Sequence, residues 1–581
     1  GEISVPAGFT TKLYVTPAEN YVLETITLNG EALVAEEGVY TIPAVTGDIT
    51  LKVVFDCTLY KVAAGEDLQA TINKASSGDT VLVQAGTYEG NFTMKDGVYV
   101  SGGWNEDFTA QTKHASILDA KANGRVLNQP AAFTALTIWD NFTIQNGYLN
   151  KYVDQWGPGV ALLKNGRVIN CLVQNNSFGG EYSGNCAGGG ICNNSGGDTC
   201  AINCVVRNNK GTHGGGIRTA GIALNCLVEN NEATGNGGGV YLHWKGELHN
   251  SIVRKNVSKD VGGVDLAATA CAIYNCLVAD NHANGVVGGI QVRNGSSVVG
   301  CTVVRNNHNT TDSTRVTWGA IRVNSGNSND YANHQFTNNV VWGNTHNDTI
   351  FAEQIMPHTK RYPVRTNNAL QGSMDIEVEY IALAIDNMAA DGPQFNEDYS
   401  FAWSSPLYNA GNNDAIAGDK DVYGNVRRQG ENIDLGAVEH TVHTLTVAAV
   451  ENGTLALKVL EQTMPLEAKA YGVPAGFTAT ILATPAEKYA LESILLNGSV
   501  LAAVEDVYTL PAVQSDVTLG ATFVTESDPD NPTNVENVLS MSQVVAVYDM
   551  LGRQISTTPD QLTTGLYIVL TTKGTHKISI K

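Results

Sequence analysis

One position in the middle of this 581-residue chain keeps its place while its chemistry changes. It is the residue after the Ile or Val that follows each glycine pair, and it reads Ala161, Cys192, Arg218, Tyr241, Asp265, Gln291 and Arg322. Arginine, tyrosine, aspartate and glutamine offer charge, ring stacking and hydrogen bonds, the means by which a protein holds a sugar chain or another polar surface. His243 and Trp244 stand beside Tyr241 and add an aromatic protrusion. Abstracting a proton next to a carboxylate needs a Lys or Arg base beside acidic residues that hold calcium. Arg218, Lys245, Asp260 and Asp265 are the grouping that meets this need. Glycosidic hydrolysis needs two or three close carboxylates, but acids are sparse between Gly188 and Asn307 and no Asp-Asp pair occurs there. Gly211-Thr212-His213-Gly214 is only a superficial echo of a Gly-His-Gly turn.

A repeat positions these residues. A Gly-Gly turn, a short β-type run, a gap and Asn-Cys-(Leu/Val)-Val-x-Asn-Asn recur from Gly157 to Asn176, Gly188 to Asn209, Gly214 to Asn231, Gly237 to Asn256, Gly262 to Asn281 and Gly288 to Asn307. A period of about 20 to 25 residues marks a solenoid whose coils bury their apolar sides by stacking. The runs are rich in Val, Ile and Leu and lack helical periodicity, so the coil is a β-coil. Two or three strands per turn fill its length at about 3.3 Å per residue. Glycine at one corner supplies positive φ or close backbone approach, and asparagine at another tolerates the left-handed region. Alternation sets the variable column opposite the buried Ile/Val. That predicts an exposed stripe stepping about 5 Å per coil, near the spacing of sugar rings. A second outward column, Gln174, Arg207, Glu229, Arg254, Ala279 and Arg305, reads as a surface ion-pair ladder of small energetic value.

Cys171, Cys204, Cys226, Cys276 and Cys301 precede the second Val-rich strand, with Ser251 and Asn339 in the same slot. Small apolar side chains filling a core explain such a column. No Cys-x-x-Cys or Cys/His cluster has zinc spacing. Cys186, Cys192, Cys200 and Cys271 lie off the column, where pairing stays open.

The formal charge of −22 and pI near 4.9 argue against nucleic acid or an anionic membrane as partner. No apolar run reaches 18 residues, so no membrane span is expected. The chain opens on GEISVPAGFT without a basic and apolar leader, which for an exported protein implies a processed or trimmed form.

Outside the coils, Val5 to Phe55 matches Val473 to Phe523 without a gap at about 30 positions. These are two copies of a small β module with turns at Asn29-Gly30 and Asn497-Gly498. The second copy has an upstream segment, His443 to Val459, with no counterpart in the first, so the first is expected to be truncated. Before the coils, Asp67 caps a short helix to about Ala75, and Gly78-Asp79 turns the chain into a strand at Thr80 to Gln84. The helix covers an otherwise open stack end. Thr525 to Asn537 has linker composition. The boundaries are therefore residues 1–56, β module; 57–440, coils; 441–524, second module; 525–538, linker; and 539–581, terminal β domain.

Several segments resemble known families. The HTLTV, ENGTL and ATPAEKYALESILLNG elements resemble the divergent bacterial repeat related to the internalin B-repeat, a spacer on surface proteins. Gly65 to Trp104 looks like the opening of right-handed β-helices of the pectate-lyase-like superfamily. Ser404 to Glu439, with Ser405-Pro406, Ala410-Gly411, Asp421 to Arg427 and Asp434 to Glu439, resembles the closing motif of bacterial surface β-helices. Val544 to Lys581, with Tyr-Asp-x-x-Gly-Arg and Gly-Leu-Tyr, resembles the C-terminal sorting domain of the type IX secretion system of Bacteroidetes.

The resemblances imply an all-β chain, a right-handed parallel β-helix with an N-terminal helical cap flanked by small β modules. They also imply an extracellular or cell-surface location, reached through secretion machinery. Three readings stay open: an adhesin binding a glycan or a partner surface, a polysaccharide lyase, and a passive stalk. The first would use Arg218, Tyr241, His243, Trp244, Asp265, Gln291 and Arg322, as a monomer and without a cofactor. The lyase would use Arg218, Lys245 and Asp265 with calcium at Asp260 and Asp265, and a glycoside hydrolase stands behind it.

Overall fold

The computed structural model describes every residue except 1–4, 6, 17–20, 36–38, 151–156, 180–187, 294, 311–319, 325–333, 351–353, 358–363, 372–380, 385–392, 394, 398, 403–404, 406, 416–417, 431, 460–461, 526–532, 535–543, 557–561, 573 and 581. The chain divides into two compact units, Gly1–Thr441 and Val442–Lys581. Most of the first is a parallel β-helix. A representative coil carries strands Ile217–Thr219, Ile222–Leu224, Leu227–Glu229 and Glu232–Ala233. Each strand pairs in parallel with its equivalent in the next coil, as in Ile217 with Val240, Val240 with Val264 and Val264 with Ile290. The expectation of two or three strands per turn is thus corrected to four. The fourth strand is only two residues long, too short to leave a periodic apolar signal.

Asparagine has two jobs at the corners. Asn170, Asn203, Asn225, Asn250 and Asn275, each before the Cys slot, have φ between 45° and 55°, which their short side chains tolerate. Asn175, Asn208 and Asn230 do the same at the next corner, where Lys255, Asp280 and Arg305 replace them. The second Asn of each doublet is different. Asn176, Asn209, Asn231, Asn256, Asn281, Asn306 and Asn344 are buried in an unbroken ladder. Asn256 is typical: its Nδ2 donates to Val228 O at 3.0 Å and to Asn281 Oδ1 at 2.9 Å, and its N–H donates to Asn281 Oδ1 at 3.0 Å. The glycine corner is set by space: a Cβ on Gly189 would lie 2.1 Å from Gly215 O, and one on Gly215 2.5 Å from Gly238 O.

The Cys column faces inward, as expected, and is buried. Each thiol donates to the carbonyl two residues back, at 3.1 Å for Cys171 and 3.2 Å for Cys276. Ser251 Oγ does the same to His249 O at 2.7 Å. Burial pushes the Cys171 thiol up to about 12, which leaves it inert as a nucleophile. Cys192, Cys200 and Cys271 are unpaired and buried, while Cys186 lies outside the described residues.

A helix closes the N-terminal end of the stack. Asp67 caps the helix Leu68–Lys74 by accepting Ala70 N–H at 2.9 Å, and Leu68 and Ile72 enter the core. At the other end the chain from Phe395 to Glu439 returns over the outside of the last coils. Ala437 N–H donates to Thr302 Oγ1 at 2.9 Å, and Tyr399 packs with Leu277, Ala279 and Val304. This requires the outward letter of the third sheet to change. Strand register runs Gln174, Arg207, Glu229, Arg254, Ala279, Val304, Trp342. Arg305, assigned to this column from sequence, instead occupies the following corner, 3.0 Å from Asp280 Oδ1. The polar half forms the expected surface pairs, such as Arg254 with Glu229 at 2.8 Å, and the apolar half is the seat of the returning segment.

A buried cluster locks that segment. Arg427 donates to Glu439 Oε2 at 3.2 Å and to the carbonyls of Asp434 and Gly436. Asp421 accepts from Tyr423, Asn425 and Glu439 N–H groups. Asp434 accepts from Asn409 N–H and His440. The Asp421 to Arg427 and Asp434 to Glu439 elements of the closing motif are therefore one hydrogen-bonded knot. Pro406 lies outside the described residues.

The first module pairs Thr11–Leu13 with Tyr40–Ile42, and Tyr21–Leu28 with Glu31–Ala32 and Leu51–Cys57. In the second unit, His443 to Val459 supplies two strands to different sheets: Val442–Val447 beside Val517–Thr525, and Gly453–Val459 beside Ala479–Pro485. Asn29, Gly30, Asn497 and Gly498 all have positive φ, as the Asn-Gly turns require. The terminal sheet holds Val544–Asp549, Gln554–Ser556, Gly565–Thr571 and Gly574–Ile580. The expected linker falls mostly outside the described residues, and within it Thr533–Asn534 pairs in parallel with Ile578–Ser579.

Three outcomes follow for stability. Asn256→Ala takes the acceptor from Asn231 N–H and Nδ2 and a donor from Val228 O inside the core, so chemical denaturation should show a loss of about 2 to 4 kcal/mol. Cys226→Ser, which copies Ser251 in the next coil, should cost under about 1 kcal/mol. Burial, reinforced by Asp434, pushes the Glu439 carboxyl up from 4.5 to about 8 against the pull of Arg427. The folded state then holds a proton that the unfolded chain has released, so stability falls as pH rises from about 4.5 to 8. Glu439→Gln should flatten that part of a melting-temperature profile.

Candidate functional site

The variable column is assembled by the sheet that follows each glycine corner. Register places Ala161, Cys192, Arg218, Tyr241, Asp265, Gln291 and Arg322 in one straight file, each paired with the next. The alignment read from sequence is therefore the spatial one. The exposed stripe is not what forms. Asp265 is 0% exposed, Gln291 3%, Arg218 6% and Arg322 8%; Ala161 and Cys192 are also buried, and Tyr241 is half-buried.

The reason is a second outward file two residues further on. Asn194, His243 and Arg293 follow Cys192, Tyr241 and Gln291 at the spacing that returns to the same face, and they fold back over the first file. Arg218 donates to Asn194 Oδ1 and, at 3.0 Å, to His243 Nε2. Asp265 accepts from Arg293 Nη2 at 3.0 Å and from Gln291 Nε2 at 3.2 Å. Gln291 Oε1 takes Arg322 Nη1 at 2.7 Å. His213 meets the Tyr241 ring edge-on, with centroids 5.0 Å apart.

These neighbours fix the charges. Burial, then the adjacent Arg218, holds His243 down at about 4. Burial, then Arg218 and Arg293, holds His213 at about 4. Both rings are neutral near pH 7, and His243 Nε2 can accept the hydrogen bond that Arg218 donates. Burial raises Asp265 above the usual carboxylate range even though Arg293, Gln291, Asn236 and Arg322 pull it down.

Beyond this covered row the surface opens at one turn. His243-Trp244-Lys245-Gly246 closes through Gly246 N–H to His243 O at 3.1 Å, with φ of 50° at Trp244 and 67° at Lys245. Two positive φ values belong to a type I′ turn, normally filled by Asn and Gly. At the equivalent turn in other coils the left-handed place belongs to Asn165, Ala270 or Gly295. Trp244 is 66% exposed, its ring backed by His243 at 4.6 Å. Trp244 and Lys245 line one side of a groove of about 420 Å³ whose remaining wall is Ala267, Ala268 and Thr269 from the next coil.

The structure joins Arg218 to His243, and Asp265 to Gln291; in the file, Tyr241 separates Arg218 from Asp265. Lys245 lies on the outward turn beside Trp244, and Asp260 sits at the fourth-sheet corner, its N–H on Gly235 O. Among the described residues no three His, Cys, Asp or Glu side chains stand close enough to hold a metal ion. The sequence alone does not single out Asn194 and Arg293, although alternation carries their signal, and it offers His213 only as an echo of a Gly-His-Gly turn. Comparison with family models, with curated proteins and with solved structures returns no match. The fold and this turn define a parallel β-helix protein with an internal polar row and one exposed aromatic groove.

Removing the Arg218 charge tests the electrostatics of the row. Arg218→Met should raise the titration midpoints of His243 and His213 from about 4, while burial keeps both below 6.5. Histidine ring shifts in a pH titration by NMR read the change.

Proposed function

We propose that this is an exported surface β-helix protein that binds a glycan, with Trp244 as the stacking platform and the groove beside it as the first sugar site. The observation that carries this reading is the turn itself. A tryptophan and a lysine hold conformations that cost about 1 to 3 kcal/mol each, and the result presents an aromatic face to solvent beside a groove one coil wide. The ring stays two-thirds in water, so burial in the core does not offset this strain, whereas a ligand stacked on the ring would. Stacked coils about 4.8 Å apart suit a ligand that repeats at a similar step. The resemblance of the coils to the pectate-lyase-like superfamily, of the modules to surface spacers and of the terminal sheet to a secretion sorting domain supports display outside the cell.

A lyase finds less support. The Asp265 carboxylate is already occupied by Arg293 and Gln291, and Arg218 serves His243 and Asn194. Calcium chemistry at Asp260 and Asp265 stays an alternative only for a rearranged site, and a passive stalk leaves the turn unexplained.

A glycan array followed by calorimetry tests the proposal. A retained glycan should lose at least about tenfold in affinity with Trp244→Ala, equivalent to about 1.4 kcal/mol, without a change in melting temperature. Unsaturated products seen by ultraviolet absorbance would hand the site to the lyase, and no retained glycan would leave the stalk.

A further inference from the structure

The file that covers the polar row is interrupted at one coil. Two residues past the variable position it reads Asn194, Ala220, His243, Ala267, Arg293 and Asn324. Backbone bonds one coil apart fix the equivalence: His243 N–H donates to Thr219 O at 2.9 Å, Ala267 N–H to Leu242 O at 2.9 Å and Arg293 N–H to Leu266 O at 3.1 Å. Ala220 is buried, whereas Ala267 is half-buried and borders the groove. A short side chain at Ala267 thus leaves a notch between the longer His243 and Arg293.

The two sides of the groove differ in chemistry. One carries the Trp244 ring and the Lys245 ammonium. The other carries the methyl groups of Ala267 and Ala268 and the hydroxyl of Thr269. Ala268 packs on the core cluster and Thr269 is exposed, so the apolar part is the floor and the hydroxyl stands at the rim. A sugar ring stacked on Trp244 faces that floor across a coil step of about 4.8 Å. A sugar hydroxyl laid on two methyl groups would lose water without gaining a hydrogen bond. An arm with a polar link and a methyl end suits the space. In an acetamido group the ring carbon and the methyl carbon lie about 3.8 Å apart across a planar trans amide, as successive Cα atoms do. The methyl of a 6-deoxy sugar stands only about 1.5 Å from its ring carbon and falls short.

We infer that the groove selects a 2-acetamido sugar. The pyranose face stacks on Trp244 and the acetyl methyl rests on Ala267 and Ala268. The oxygen and N–H of a trans amide point in opposite directions, and Lys245 and Thr269 stand on opposite sides of the groove. Lys245 donates to the amide oxygen, and the Thr269 hydroxyl accepts the amide N–H. The assignment rests on glycan binding at the Trp244 turn and names the substituent recognised there.

Tri-N-acetylchitotriose and cellotriose share ring and linkage and differ at C2, so calorimetry of the 581-residue chain with each isolates the acetamido group. The acetylated trisaccharide should bind at least about tenfold more tightly. Saturation-transfer NMR should place the strongest transfer on its acetyl methyl protons. Ala267→Asn, which fills the notch with the residue that Asn194 supplies in its own coil, should reduce the preference to under about twofold at an unchanged melting temperature. Equal affinity for the two sugars, tighter binding of trigalacturonate, or weak transfer to the acetyl methyl overturns the inference and leaves glycan binding at Trp244 standing. Failure of all three to bind overturns it as well, and glycan binding itself falls only if the array retains nothing.

Discussion

Everything in the β-helix depends on satisfying backbone groups at corners that are buried. A solenoid coil must turn several times in little more than twenty residues, and each turn takes amides and carbonyls out of the ladder. The buried asparagine file does that accounting. One side chain receives the N–H of the preceding coil's asparagine and donates to a carbonyl and to its neighbour's oxygen, so each member completes the one before it. Because the file is continuous from Asn176 to Asn344, it also fixes register, and register decides which residues face outward. The glycine corner contributes the other half, since only a residue without Cβ lets successive backbones approach so closely.

Register of this quality makes the variable file a straight line, and a straight line of polar residues on a sheet face invites a ligand-binding explanation. The second file two residues along changes that. Arg293 turns inward over Asp265, and His243 and Asn194 over Arg218, so the row becomes a covered network whose histidines are held neutral. Where the covering residue is small, as at Ala267, the face opens again. The groove next to Trp244 lies there, because Ala267 and Ala268 do not fill the space that the tryptophan turn overhangs.

Much of this was legible from residue types. Strong periodicity located the coils, the Cys column, the capping helix with Asp67, the strand Thr80–Gln84 and the Asn-Gly turns, because each rests on a local rule about φ, capping or alternation. The asparagine ladder was half legible: in the doublets the first Asn gives way to Lys255, Asp280 and Arg305 while the second never changes, which separates a conformational role from a hydrogen-bonding one. Exposure was not legible. Alternation states which way a side chain leaves the sheet, and it is silent about what a neighbouring turn lays on top. The returning segment shows the same limit, since Ala279, Val304 and Trp342 announce a covered surface without saying that Tyr399 and Ala437 cover it.

The central claim is that recognition happens at the Trp244 turn, outside the polar row. Hydroxyl-radical footprinting of the chain with a retained polysaccharide tests it directly. The account predicts that oxidation of Trp244 slows on binding, while outward side chains of the third sheet such as Arg207 and Arg254 keep their rates. Binding that leaves Trp244 oxidised at an unchanged rate would contradict it.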